Sequence, residues 1–165
     1  MTDSDSSGSG ASKSNDVSSG VPDAGTATTE DAADTLEAVS SQIHDFAGVP
    51  GKASEAGAGV QECDGKDPKK FFRVWHPWNF APKKASDIDV AMENLKKKLN
   101  TGGWVIKDLY HDNSPNKNLN LVADNDSKKV SVRITRYGKR ETPSLGITTI
   151  SGCYQVPEGE TVEQF

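Results

Sequence analysis

The run FFRVWHPWNF, Phe71 to Phe80, is the one place where residue types gather for molecular recognition. An indole stacks on the apolar face of a sugar ring, and nearby cations meet phosphate or carboxylate. As a β-strand, the start of this run puts Phe72 and Val74 on one face and Phe71, Arg73 and Trp75 on the other. Arg73 marks the second face as the wetter one and leaves Trp75 partly exposed. Pro77 cannot continue a β-ladder and is expected to turn Trp78 towards the same side. The expected ligand surface is therefore Arg73, Trp75, Trp78, Lys83 and Lys84, and its expected ligand an anionic envelope glycan. The competing reading makes these aromatics ordinary core, with the first helix lying over Trp75.

Other chemistries find less support. Cys63 and Cys153 are the only cysteines, and they flank the proposed core. A disulfide is the expected state, closing a loop long enough to stabilise the fold by roughly 4–5 kcal/mol in the chain-entropy model; a free reactive thiol is the alternative. No histidine lies within a few residues of either cysteine, as a zinc site would require. His44, His76 and His111 show no HxH or HxxxH pairing, so no metal is expected. There is no GxSxG elbow, no GxGxxG and no Walker loop, and no cofactor is expected. Triads assemble in space, so a hydrolase with a dispersed Ser/His/Asp site stays open as an alternative function. Asp124, Asn125 and Asp126 resemble the start of a calcium loop but lack its glycine and distal Glu, and a polar hairpin turn accounts for them.

The elements that would position these residues follow from periodicity. Thr28 and Asp31 have capping-box spacing, and Ala32, Leu36, Val39, Ile43 and Phe46 form one helical stripe that Gly48, Pro50 and Gly51 end. So narrow a stripe must dock on a domain or on a partner. A strand at Phe71–His76 is expected at a sheet edge, because of Pro77. The second helix takes Ser86 as N-cap and buries Ile88, Met92, Leu95 and Leu99. Lys96, Lys97 and Lys98 in its last turn suit the carboxyl end of the helix dipole. Strands are expected at 104–110, 119–123, 130–137 and 145–150; Val130, Val132 and Ile134 alternate most clearly with polar residues. The implied fold is α+β in two layers, two helices on one face of an antiparallel sheet of about four to five strands, in the order α-β-α-β-β-β-β.

Composition sets the boundaries. The hydrophobic fraction is 33%, and the deficit falls at the start, where MTDSDSSGSGASKSNDVSSG has almost no large apolar residue. Such a segment cannot offset an ordering cost of roughly 1–2 kcal/mol per residue. Residues 1–28 are expected to be a disordered tether spanning roughly 30 Å. Residues 29–157 form the domain, with a helix at 29–47, a linker at 48–68 and the core at 69–157, and residues 158–165 form a flexible tail. Residues 1–62 carry eleven acids and two lysines, a charge of −9, and residues 63–165 thirteen acids and seventeen bases, a charge of +4. Solvated surface cations explain this mild basicity, and no nucleic-acid partner is expected. No apolar run reaches eighteen residues, and residues 1–20 lack the basic start and apolar middle of a signal peptide. A mature secreted chain beginning at a new Met1 would read this way.

The run LKKKLNTGGW, Leu95 to Trp104, followed later by LGITTISGCYQVP, Leu145 to Pro157, resembles small secreted lipoproteins of actinobacteria. In these a helix ends in a Gly-Trp pair and the last strand closes with Ser-x-Cys and a proline. The resemblance covers roughly residues 60–157. It implies that Cys153 pairs with the upstream cysteine. It also implies lipid anchoring through an N-terminal cysteine, absent from this sequence, followed by a tether like residues 2–28. It brings no catalytic residues. The expected function is thus a non-enzymatic binding or accessory domain, monomeric, at the outer face of a cell membrane or secreted. A structural partner of another envelope protein is a further alternative.

Overall fold

The computed structural model describes residues 21–165. Its elements in chain order are β1 (Gly25–Thr26), α1 (Thr29–Ala47), β2 (Gly51–Ala53), β3 (Gly59–Gln61), β4 (Phe71–Pro82), a 3-10 turn (Ala85–Asp87), α2 (Ile88–Lys98), β5 (Trp104–His111), β6 (Leu119–Asn125), β7 (Val130–Tyr137), β8 (Ser144–Ser151) and β9 (Tyr154–Gln155). Nine strands share one sheet, ordered β1-β9-β4-β8-β7-β6-β5, with β2 and β3 also paired to β4.

This corrects the expected two-layer α+β fold with four to five antiparallel strands. The sheet is larger, and it is mixed, because β1 runs parallel to β9 with Gly25 opposite Tyr154. The strands that sequence periodicity misses are two or three residues long, and three of the four contain a glycine, so no alternation marks them. β2 and β3 form because β4 offers unpaired backbone groups: β3 pairs with Arg73–Trp75 and β2 with Phe80–Pro82. The linker expected at 48–68 therefore holds two strands.

The role of Pro77 is the second correction. It does not end β4, which runs on to Pro82 with Pro77 opposite Thr148 of β8. Asn79 sends both its N–H and its carbonyl towards Ser54, on the side where β2 and β3 pair. Pro77 lies two residues away and faces the same side, within the interval 76–79 that neither short strand covers. No ladder bond is lost there, so the proline is tolerated. β4 is thus a central strand with partners on both sides, not an edge.

α1 forms as its spacing dictates. The Thr28 hydroxyl accepts from the Asp31 N–H at 3.1 Å, and Leu36, Val39 and Ile43 are buried. That stripe packs on Phe72, Val74, Trp78 and Phe80 of β4, on β8, and on Met92 and Leu95 of α2 in one core. Ser86 lies inside the 3-10 turn and is not the cap of α2.

Both chain ends are more tied than expected. The Ala24 N–H donates to the Cys153 carbonyl and the Ala27 N–H to that of Gln155, so the described end of the predicted tether is held to the sheet. The disorder expected of residues 1–20 lies outside the described residues. In the predicted C-terminal tail, the Val162 N–H donates to the Lys69 carbonyl and the Glu163 N–H to the Thr29 hydroxyl.

Candidate functional site

The five residues of the expected ligand surface do not meet. Arg73 and Trp75 are half-buried on one face of β4, whereas Trp78 is 6% exposed and lies on the core face. Since β4 continues through Pro77, the pleat keeps Trp75 and Trp78 on opposite sides. Trp75 is closely approached by β3: a Cβ at Gly59 would come within 2.9 Å of its Nε1. Lys83 and Lys84 are exposed beyond the far end of the strand. Ten residues at about 3.3 Å each put Arg73 and Lys83 roughly 33 Å apart along the chain. An anionic glycan unit cannot be gripped by cations so distributed, and the site expected for it is not formed.

A different group is assembled between α1 and β4. Along α1, Glu37, Ser41 and Asp45 recur every four residues, with Ser40 and His44 in the adjacent row, so all five share one helix side. His76 and Trp78 lie two apart on the core face of β4. Together with Ala53 of β2 and Ser54 and Ala56 of the β2–β3 connection, these side chains line a cavity of about 340 Å³. That volume suits a small organic molecule. The rings of His76 and Trp78 stack at 6.2 Å, and His44 meets the edge of Phe80 at 5.2 Å.

One wall of the cavity is fixed by a hydrogen-bond chain. His76 Nε2 lies 2.6 Å from the Ala56 carbonyl, which can only accept, so Nε2 carries a proton. In the neutral ring Nδ1 is then an acceptor, and the Ser40 hydroxyl donates to it at 2.7 Å. Ser40 Oγ in turn accepts from the Thr149 hydroxyl at 2.7 Å. Glu37 holds the same β2–β3 connection by accepting from the Ala58 N–H at 2.9 Å.

The Ser40–His76 pair has the spacing of a nucleophile and its base. The surroundings argue for a structural role. Ser40 lies in the middle of a 19-residue helix, where backbone N–H groups are committed to i−4 carbonyls and cannot stabilise an oxyanion. Its oxygen both donates and accepts within the network. The chain therefore latches α1 to β4, β8 and the cavity wall.

Two buried polar atoms of residues around the cavity lie outside this network. Trp78 Nε1 and His44 Nε2 are buried and have no hydrogen-bond partner among the described residues. A buried indole N–H left unpaired costs about 1–3 kcal/mol. His111 is remote from this group, on the terminal strand β5. The described residues contain no cluster of His, Cys, Asp or Glu fit to hold a metal ion.

Elsewhere, Asp124 and Ser131 pair across β6 and β7 at 2.6 Å, and burial pushes the Asp124 carboxyl up from its ordinary value, partly opposed by that hydrogen bond. In the β6–β7 turn Asn125 Oδ1 accepts from the Lys128 N–H at 3.1 Å.

Cys63 and Cys153 form a disulfide. Such a bond is characteristic of an extracytoplasmic chain. Among the described residues no helix is long and apolar enough to cross a membrane. No protein-family model, curated protein or solved structure matches the chain.

Proposed function

We propose that this chain is a non-enzymatic domain that binds a small organic ligand outside the cytoplasm, in the cavity between α1 and β4. The observation that carries the reading is the cavity itself: about 340 Å³, walled by the stacked rings of His76 and Trp78 and by polar side chains of α1, a size and lining that suit a small organic ligand. The disulfide supports the extracytoplasmic setting. The resemblance of residues 60–157 to secreted lipoproteins supports a lipid anchor ahead of the domain.

The indole proton of Trp78 is the natural reporter. A soluble fragment library screened by amide and indole nitrogen–proton correlation should yield compounds that shift the Trp78 indole signal, identified by its loss in Trp78→Phe, while that of Trp104 stays put. If no fragment at millimolar concentration moves it, ligand binding in this cavity is refuted.

A further inference from the structure

We infer that the corner of the sheet where β4 ends, on the face without helices, docks a linear phosphodiester polymer outside the cytoplasm. This surface is separate from the cavity, and strand register builds it. Lys52 of β2 stands opposite Ala81 of β4. One step beyond the Phe80–Leu145 pair, Ala81 meets Ser144 of β8, and Ser144 stands opposite Tyr137 of β7. Paired residues share a face, so Lys52, Ala81, Ser144 and Tyr137 form one row across the sheet. The row lies on the side opposite Phe80, whose ring belongs to the core beneath α1.

Cations collect along this row. Lys83 is two residues past Ala81, hence on the same side, and its N–H continues the β2 pairing by donating to the Pro50 carbonyl at 2.9 Å. The Arg140 guanidinium sits 3.7 Å over the ring of Tyr137. Lys84 and Lys139 are their chain neighbours, and all five cations are exposed. None of them forms an ion pair among the described residues, whereas Arg136 of β7 is held by Asp89 at 2.8 Å. The acids in the same segments are Asp87 of the 3-10 turn and Glu141 of the β7–β8 turn, so positive charge prevails. Between Lys52 and Lys83 runs a groove of about 480 Å³ floored by Pro50, Gly51, Ala81 and Pro82.

The form of the surface selects the partner. Three strand spacings, about 14 Å, separate Lys52 from Tyr137, too far for one phosphate, so the ligand is extended. Four of the five cations are lysines, point charges that meet phosphate from any direction, whereas planar carboxylates gain most from arginine forks. The groove floor takes the uncharged links of such a chain. A membrane surface fits less well: the exposed large apolar side chains among the described residues are Val90, Val105, Leu109 and Phe165, none of them on β2, β4 or the β7–β8 turn. The extracytoplasmic setting of the disulfide disfavours nucleic acid as the source of the phosphates.

Medium-chain inorganic polyphosphate is the probe. Titrated into the full chain at low salt, it should shift the Lys52, Lys83 and Arg140 amide signals at concentrations where orthophosphate moves none. With about five charges neutralised, its affinity should fall roughly a hundredfold between about 50 and 200 mM salt. Lys83→Ala/Arg140→Ala should flatten that salt slope by about 1–2, with folding checked by unchanged Trp78 and Trp104 indole signals. Lys96→Ala/Lys97→Ala, at the far end of α2, should leave affinity and slope unchanged. Equal weakening by both double variants would reduce the effect to general basicity and overturn the inference. So would poly-L-glutamate binding as tightly as polyphosphate, phosphatidylglycerol vesicles retaining the chain while polyphosphate moves no signal, or no shift at all at low salt.

Discussion

Removing the disulfide is the perturbation whose size follows most directly from the topology. Cys63 and Cys153 are separated by 90 residues, and the loop between them contains β4 through β8 with α2. Closing a loop of that length should stabilise the native state by about 4.6 kcal/mol through the unfolded chain. For a domain of this size each kcal/mol shifts Tm by about 2–4 °C, so reduction should lower Tm by roughly 9–18 °C. Far-ultraviolet circular dichroism with and without a phosphine reductant measures it, and Cys63→Ala/Cys153→Ala should match the reduced protein. The structure also says where loosening begins. The Ala24 N–H donates to the Cys153 carbonyl and the Lys66 N–H to that of Cys63, so amide exchange at Ala24 and Lys66 should speed up before exchange at Leu95. A fall in Tm below about 3 °C, or loosening that begins in α2, would refute the argument.

Ser40→Ala should destabilise by about 1–3 kcal/mol, because His76 Nδ1 loses its buried donor; a fluorophosphonate probe should leave wild-type Ser40 unlabelled, and labelling there would establish a nucleophile. Gly152→Ala should free residues 22–27 from the sheet, since a Cβ would collide with the Pro22 carbonyl oxygen; undiminished protection of the Ala24 amide would contradict this. Hydrogen bonds from the Ser114 hydroxyl and the Asn120 amide, then from the Ser114 and Asn118 N–H groups, lower the Asp112 carboxyl to about 2. A depressed acid binds fewer protons when folded. Its stabilisation is therefore full above about pH 4 and lost as pH falls towards 2, and a carboxyl-carbon titration of Asp112 with an ordinary midpoint would overturn it.

How much of this was legible varies with the length of the signal. The helix at α1 could be read because a cap at Thr28 and a stripe of Leu36, Val39 and Ile43 agree over nineteen residues. β7 was readable from Val130, Val132 and Ile134, which the structure buries. Strands such as Gly51–Ala53 were not, since three residues carry no period and their pairing is decided by β4. The cavity was hidden by one local rule. Taking Pro77 as a stop broke the alternation Phe72, Val74, His76, Trp78, Phe80, all buried on one face. Carried through the proline, that alternation puts His76 and Trp78 together facing the core. The other half of the site lay on α1 as Glu37, Ser41 and Asp45, a four-residue repeat of polar side chains that looks like an ordinary solvated face. Only the β2–β3 connection passing over it makes it the wall of a cavity.

The attachment of β1 has a mechanical consequence. Any pull on the chain ahead of Pro22 reaches the domain at the Ala24–Cys153 and Ala27–Gln155 hydrogen bonds. Cys153 is also the residue joined covalently to Cys63, which precedes β4. Force arriving at the sheet margin thus divides: part runs along β8, and part crosses the sulfur bridge into the central strand. A tug strong enough to peel away β1 would still leave that bridge and the β4–β8 ladder whole. The entry segment yields first, and because it runs directly into α1 at Thr29, the next load falls on the helix that walls the cavity.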